Sequence, residues 1–69
     1  MSEAPSPVKA ARGRAGLRQA DLAAAVGVSR QTVVSMERGD YAPSVHLAIR
    51  IARALDSSVE ELFPLPEEQ

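Results

Sequence analysis

The stretch that most constrains this chain is residues 19–38, QADLAAAVGVSRQTVVSMER, where two amphipathic windows flank a glycine. In the first window Leu22, Ala23 and Val26 recur at i, i+1 and i+4, and in the second Val33, Met36 and Glu37 share one face. Gly27 stops the first helix and permits a positive φ. Val28 turns back toward a core, and Ser29 can accept the first free N–H groups of the next helix. The spacing predicts helices over residues 19–26 and 30–38, with Gly39 ending the second. Two helices crossing through a three- or four-residue turn that contains Gly form a helix-turn-helix. Close crossing also needs a small residue at the contact, and Ala23 fits.

The flanks read as support for that pair. Ser6 can cap a first helix with Pro7 at its opening position, where a missing N–H costs nothing. Val8, Ala11, Arg12 and Ala15 fall on its inner face, and Gly16 ends it. Arg18 stands where a capping Ser or Asn is expected, so the second helix reads as imperfectly capped. After a loop over residues 40–43, Ser44 caps a fourth helix over residues 45–55, whose inner stripe is Val45, Ala48, Ile51, Ala52 and Leu55. Ser58 and Glu61 suggest a capping box for a short fifth helix, residues 59–63, which Pro64 and Pro66 forbid from continuing. No useful run alternates as a strand does. The fold class is therefore all-α: five helices over residues 7–63, an N-terminal arm at residues 1–6 and an acidic tail at residues 64–69.

Sixty-nine residues make one small domain, which buries only about 60% of its unfolded surface. With no cysteine, neither a disulfide nor a thiolate metal site can reinforce it. No apolar run approaches the roughly 20 residues of a membrane span, and residues 1–8 lack the order of a signal peptide. A soluble, cytoplasmic protein is the expectation. The net charge of −1 hides an asymmetry. Residues 1–38 carry six basic and three acidic groups, whereas residues 39–69 carry two basic and six acidic. Such a chain can present one basic face. The sole histidine, His46, has no ligand set at metal spacing, and no nucleophile–base pair or phosphate loop exists. The expectation is a non-enzyme without metal or cofactor.

The run GLRQADLAAAVGVSRQTVVSMERGDYAPSVHLAIRIARALDSSVEELF resembles the Cro/CI-type (Xre-like) bacterial and phage regulators, and the first helix fits as well. The resemblance implies a lambda-repressor-like domain whose third helix enters the DNA major groove N-terminus first. By position it assigns base reading to Arg30, Gln31 and Ser35. Arg can bond guanine O6 and N7 bidentately, and Gln can pair with adenine N6 and N7. Thr32 and Val34 would lie near a thymine methyl or the sugar edge. Gln19 takes the family's phosphate-gripping position, with Arg18 beside it and Arg38, Tyr41 and Ser44 flanking the later loop. Asp40 stands where relatives often carry Lys, and an acid there repels phosphate. The resemblance also implies an ion pair between Arg12 and Glu37, both on otherwise inward faces. An isolated buried charge would be costly, so pairing is the physical expectation as well.

One recognition helix reads only a few base pairs, too few against the roughly 10⁶ or more competing sites of a genome. The expected partner is double-stranded DNA bound by a homodimer on an inverted repeat. The expected dimer surface is Leu47 or Ile49, the fifth helix, Leu62, Phe63 and Leu65. The function expected is a sequence-specific transcriptional regulator, a repressor by preference. The alternatives are an antitoxin or accessory subunit that also contacts a partner protein, or a helical interaction domain without DNA binding.

Overall fold

The structure is a computed structural model and describes residues 6–65; of the expected arm at residues 1–6 and tail at residues 64–69, residues 1–5 and 66–69 lie outside the described residues. The described chain forms five helices: α1 Pro7–Arg14, α2 Gln19–Val26, α3 Arg30–Arg38, α4 Val45–Ala54 and α5 Val59–Leu62. No strand occurs among the described residues.

The starts of the helices follow the capping residues. Ser6, Ser29, Ser44 and Ser58 each accept, through the side-chain oxygen, the N–H three residues on. Helix α2 is the exception, imperfectly capped as its sequence suggests. The Arg18 side chain has no acceptor to offer, but the Asp21 carboxylate accepts the Arg18 backbone N–H at 2.8 Å. The reciprocal half of a cap is thus in place without its usual partner. At α5 the Glu61 carboxylate accepts the Ser57 hydroxyl at 2.9 Å.

The four longer helices end alike. The N–H groups of Leu17, Val28, Asp40 and Ser57 donate to the carbonyls of Arg12, Ala23, Ser35 and Ala52, five residues back. That closure needs a left-handed residue just before the donor. Gly16, Gly27 and Gly39 provide it, and Asp56 does so with φ of 53° despite its Cβ.

The core joins α1 to α5 around Leu22, Val33 and Ile51, each 0% exposed, with Val8, Val26, Met36 and Leu62 around them. Leu17, Val28, Val59 and Phe63 pack against it half-buried. Two inward assignments from sequence, Ala15 and Val45, and two surface assignments, Leu47 and Leu62, need correction. Ala15 is exposed, because the helical run stops at Arg14 and residue 15 already belongs to the turn. Val45 is 74% exposed, whereas Leu47 is buried. The inner stripe of α4 is Leu47, Ala48, Ile51, Ala52 and Leu55. At 3.6 residues per turn, Val45 stands about 90° from the centre of that stripe. Leu62, expected on the dimer surface, is 3% exposed and belongs to the core, since α5 turns its one large aliphatic residue inward to close the space between α1 and α4.

Candidate nucleic-acid interface

The α2–α3 unit is fixed from three directions. Ala23, 4% exposed, lets the helices approach, and Val28 packs on the core from the turn. The third restraint is polar. Arg12 on α1 donates to the Glu37 carboxylate near the end of α3 through Nε at 2.6 Å and Nη2 at 3.1 Å. The Arg12 and Glu37 side chains are only 14% and 5% exposed. The remaining Arg12 nitrogen, Nη1, donates to the Leu17 carbonyl at 2.9 Å, and Gln19 Nε2 donates to Glu37 Oε1 at 3.1 Å. One carboxylate therefore ties the end of α1 and the start of α2 to the end of α3. Burial alone would push the Glu37 carboxyl up. Hydrogen bonds from Arg12 and Gln19, with the charges of Arg12 and Lys9, outweigh burial and hold it below the ordinary carboxylate range.

With that end locked, α3 points its other end outward. Arg30 and Gln31 are exposed on its first turn, while Thr32, Val34 and Ser35 are half-buried. The Thr32 and Ser29 hydroxyls lie 3.0 Å apart, so Thr32 is partly engaged by the cap. Arg30 enters no ion pair with a described residue, leaving its five N–H donors open to a ligand.

The flanking positions differ from Arg30. Arg18 grips Asp21 through Nε at 3.0 Å and Nη2 at 3.1 Å, and Arg38 Nε lies 3.6 Å from Asp40 Oδ2. The Arg18 side-chain and backbone hydrogen bonds hold the Asp21 carboxyl below its ordinary range. Tyr41 and Ser44 are exposed in the loop after α3, but the Ser44 hydroxyl already accepts the Leu47 N–H. Gln19 is half-buried and shares its amide with the Glu37 network, a role that its place at the start of α2 did not announce.

Two helices of this length, a left-handed glycine between them and an exposed N-terminal turn on the second define a helix-turn-helix. The HTH_3 helix-turn-helix family matches residues 8–62 of this chain. The chain belongs to the helix-turn-helix family. Within the family it is of the Cro/CI-type, Xre-like branch. It is 48% identical over 61 residues to YgzD, an uncharacterized HTH-type transcriptional regulator of Bacillus subtilis, covering 88% of this chain and 92% of that one. Among solved structures it is similar to the restriction-modification controller protein C.AhdI of Aeromonas hydrophila: 34% identity, a TM-score of 0.76, and 84% and 88% of the two chains covered. It is also similar, at 26% identity and a TM-score of 0.77, to part of hydroxypropylphosphonic acid epoxidase from S. wedmorenis. There the match takes 91% of this chain but 36% of the enzyme, so the likeness is to one portion of a larger protein. The helix-turn-helix regulators match over most of both chains, and transcription regulation through DNA binding is the family's role. Among the described residues no helix is long and apolar enough to cross a membrane, and no three His, Cys, Asp or Glu cluster as a metal site would.

Proposed function

We propose that this helix-turn-helix protein represses transcription by binding an inverted-repeat operator as a two-fold dimer, with α3 reading the major groove. The observation that carries the reading is the contrast on α3. Its C-terminal end is fixed by Glu37, while Arg30 and Gln31 stand exposed at the other end with Arg30 uncommitted. Base readout needs this combination: side chains free to bond, on a backbone that cannot shift. Arg30, Gln31 and Ser35 are assigned to base edges. Gln19, Arg18, Arg38, Tyr41 and Ser44 are assigned to the backbone, and Thr32 and Val34 to the groove wall. The second copy would bring another recognition helix about 34–36 Å away, one turn of DNA along.

Its contact surface is revised by the burial pattern. Leu47 and Leu62 lie inside the core. Apart from Tyr41, assigned to DNA, the exposed large apolar side chains among the described residues are Val45, Ile49 and Leu65, with half-buried Phe63 as a further candidate. Tyr41, Val45 and Phe63 also line an open apolar groove of about 390 Å³ between the α3–α4 loop and the end of α5.

Selection of binding sites from a random duplex pool tests the reading. The expected product is a two-fold symmetric site. Arg30→Ala should lose about 1–3 kcal/mol of discrimination at one base pair per half-site, while Gln19→Ala should weaken binding to every sequence. Failure to enrich any duplex would refute the function.

A further inference from the structure

The positive groups around α3 are not equally available. Arg30 is free of ion pairs with described residues, whereas the arginines beside the α2 start and the α3 end each face a carboxylate of their own chain. Arg18 and Asp21 form a bidentate contact at 3.0 and 3.1 Å. Arg38 and Asp40 approach to 3.6 Å at 70% and 63% side-chain exposure. The Gln19–Glu37 hydrogen bond brings the α2 start against the α3 end, so both pairs border the same edge of the molecule. Neither pair is needed to satisfy a buried group. No described side chain holds a buried polar atom without a hydrogen-bond partner, and all four residues are at least one-third exposed.

We infer that Asp21 and Asp40 are affinity-tuning residues, which hold Arg18 and Arg38 away from the DNA backbone and so weaken the sequence-independent part of binding. The inference rests on the DNA-binding reading above. A phosphate that takes either arginine competes with a carboxylate already there: at Arg18 for the Nε and Nη2 groups that donate to Asp21, and at Arg38 through the negative charge of Asp40, which sits 3.6 Å away without a hydrogen bond. Base-edge contacts from Arg30 carry no such competition. Phosphate contacts supply essentially all non-specific affinity, and base contacts supply the sequence information. Placing acids against the first kind of arginine and not the second lowers the protein's retention on random DNA. It also accounts for how a chain of net charge −1 can carry a DNA-binding face without holding its basic groups in a bare cluster.

Asp40→Asn is the cleanest variant, because Asp40 caps no helix and its backbone N–H bond to Ser35 is retained. Binding to a random-sequence duplex is measured by fluorescence anisotropy over a series of salt concentrations. Wild type, Asp40→Asn, Arg38→Ala and the double variant are compared, with the pool-selected duplex as reference. Asp40→Asn should tighten random-duplex binding about 1.5- to 5-fold at low salt, the 0.2–1 kcal/mol span of an exposed pair at 1.36 kcal/mol per decade. It should also steepen the slope of log K against log salt by up to about 0.9. In the Arg38→Ala background the same substitution should gain less than in wild type, only what removing one negative charge near the phosphates gives. An unchanged affinity in Asp40→Asn, or a gain that persists at full size without Arg38, overturns the inference while leaving DNA binding intact. If wild type ignores both duplexes at low salt, the DNA-binding reading itself falls. Asp21→Asn, which keeps an acceptor for the Arg18 backbone N–H, should repeat the pattern against Arg18→Ala.

Discussion

Removing the Glu37 side chain tests whether one buried carboxylate holds the recognition unit together. In the native protein it accepts three hydrogen bonds, two from Arg12 and one from Gln19, at 5% exposure. Glu37→Ala leaves the Arg12 guanidinium, 14% exposed, with only the Leu17 carbonyl. Breaking a buried pair by deleting one partner costs about 3–5 kcal/mol, chiefly because the other charge stays buried. At roughly 0.05–0.15 kcal/mol per residue, a domain of this size has about 3–10 kcal/mol in total. The variant should therefore lose at least about 12 °C in Tm, at about 4–8 °C per kcal/mol, and a domain at the lower end of that stability range should unfold. Urea and thermal melts followed by circular dichroism give the value. Replacing both partners, Arg12→Met with Glu37→Leu, should be milder than Glu37→Ala alone, since no charge is then stranded. The pair also sets acid sensitivity. The folded Glu37 carboxyl titrates below its unfolded value. Its contribution is thus present above the ordinary glutamate pKa of about 4.3 and is lost as pH falls through the lower folded value. Glu37→Ala should flatten that acid limb. A Glu37→Ala loss below about 1 kcal/mol, with the acid limb unchanged, would refute the lock.

Two further outcomes follow from the backbone and the surface. Asp56→Gly should stabilise the domain by up to about 1 kcal/mol, because Asp56 holds a φ of 53° that a Cβ disfavours, and a rise in Tm is the readout. Val45→Ser with Ile49→Ser should leave the monomer's melting nearly unchanged while weakening dimerisation on light scattering, since both side chains are exposed. A drop in Tm with unchanged association would place them in the core instead.

The α2 and α3 limits were legible because each is punctuated by a residue with one physical role. Gly27 and Gly39 stop the helices with φ of 80° and 83°, and Ser29 caps α3 with its hydroxyl. Punctuation of that kind is local and needs no tertiary knowledge. The phase of α4 was not legible in the same way. Val45, Ala48, Ala52 and Leu55 satisfy a helical repeat as well as Leu47, Ala48, Ile51 and Leu55 do. Which stripe wins depends on where α2 and α5 press against the helix. In α5 four residues are too short for any period, so Leu62 could be assigned to either side. The Asp21 cap was hidden because an Arg at the preceding cap position offers no acceptor, leaving half of the usual two-residue signature. The DNA-facing roles in the candidate site rest on position within the family, while its pairing pattern required coordinates.

Gln19 joins these levels. It opens α2, where an amide can reach a phosphate, and one N–H of that amide is committed to Glu37. A primary amide carries two such donors, so the remaining N–H and the oxygen stay open while the first fixes the side chain's direction. A side chain held this way loses less rotamer freedom on binding, where an immobilised flexible side chain otherwise costs about 0.5–1.5 kcal/mol. On the proposed docking, Arg12, though it lies on α1 and away from the exposed turn of α3, would bear on DNA affinity through the carboxylate it shares with Gln19. The fold's strongest polar restraint and its proposed backbone grip meet at one group. Adjusting the grip by changing Glu37 would disturb the fold, whereas the exposed Asp21 and Asp40 pairs can be changed with far less effect on packing. That difference in burial locates where affinity can vary without loss of structure: at the surface carboxylates, not at the lock.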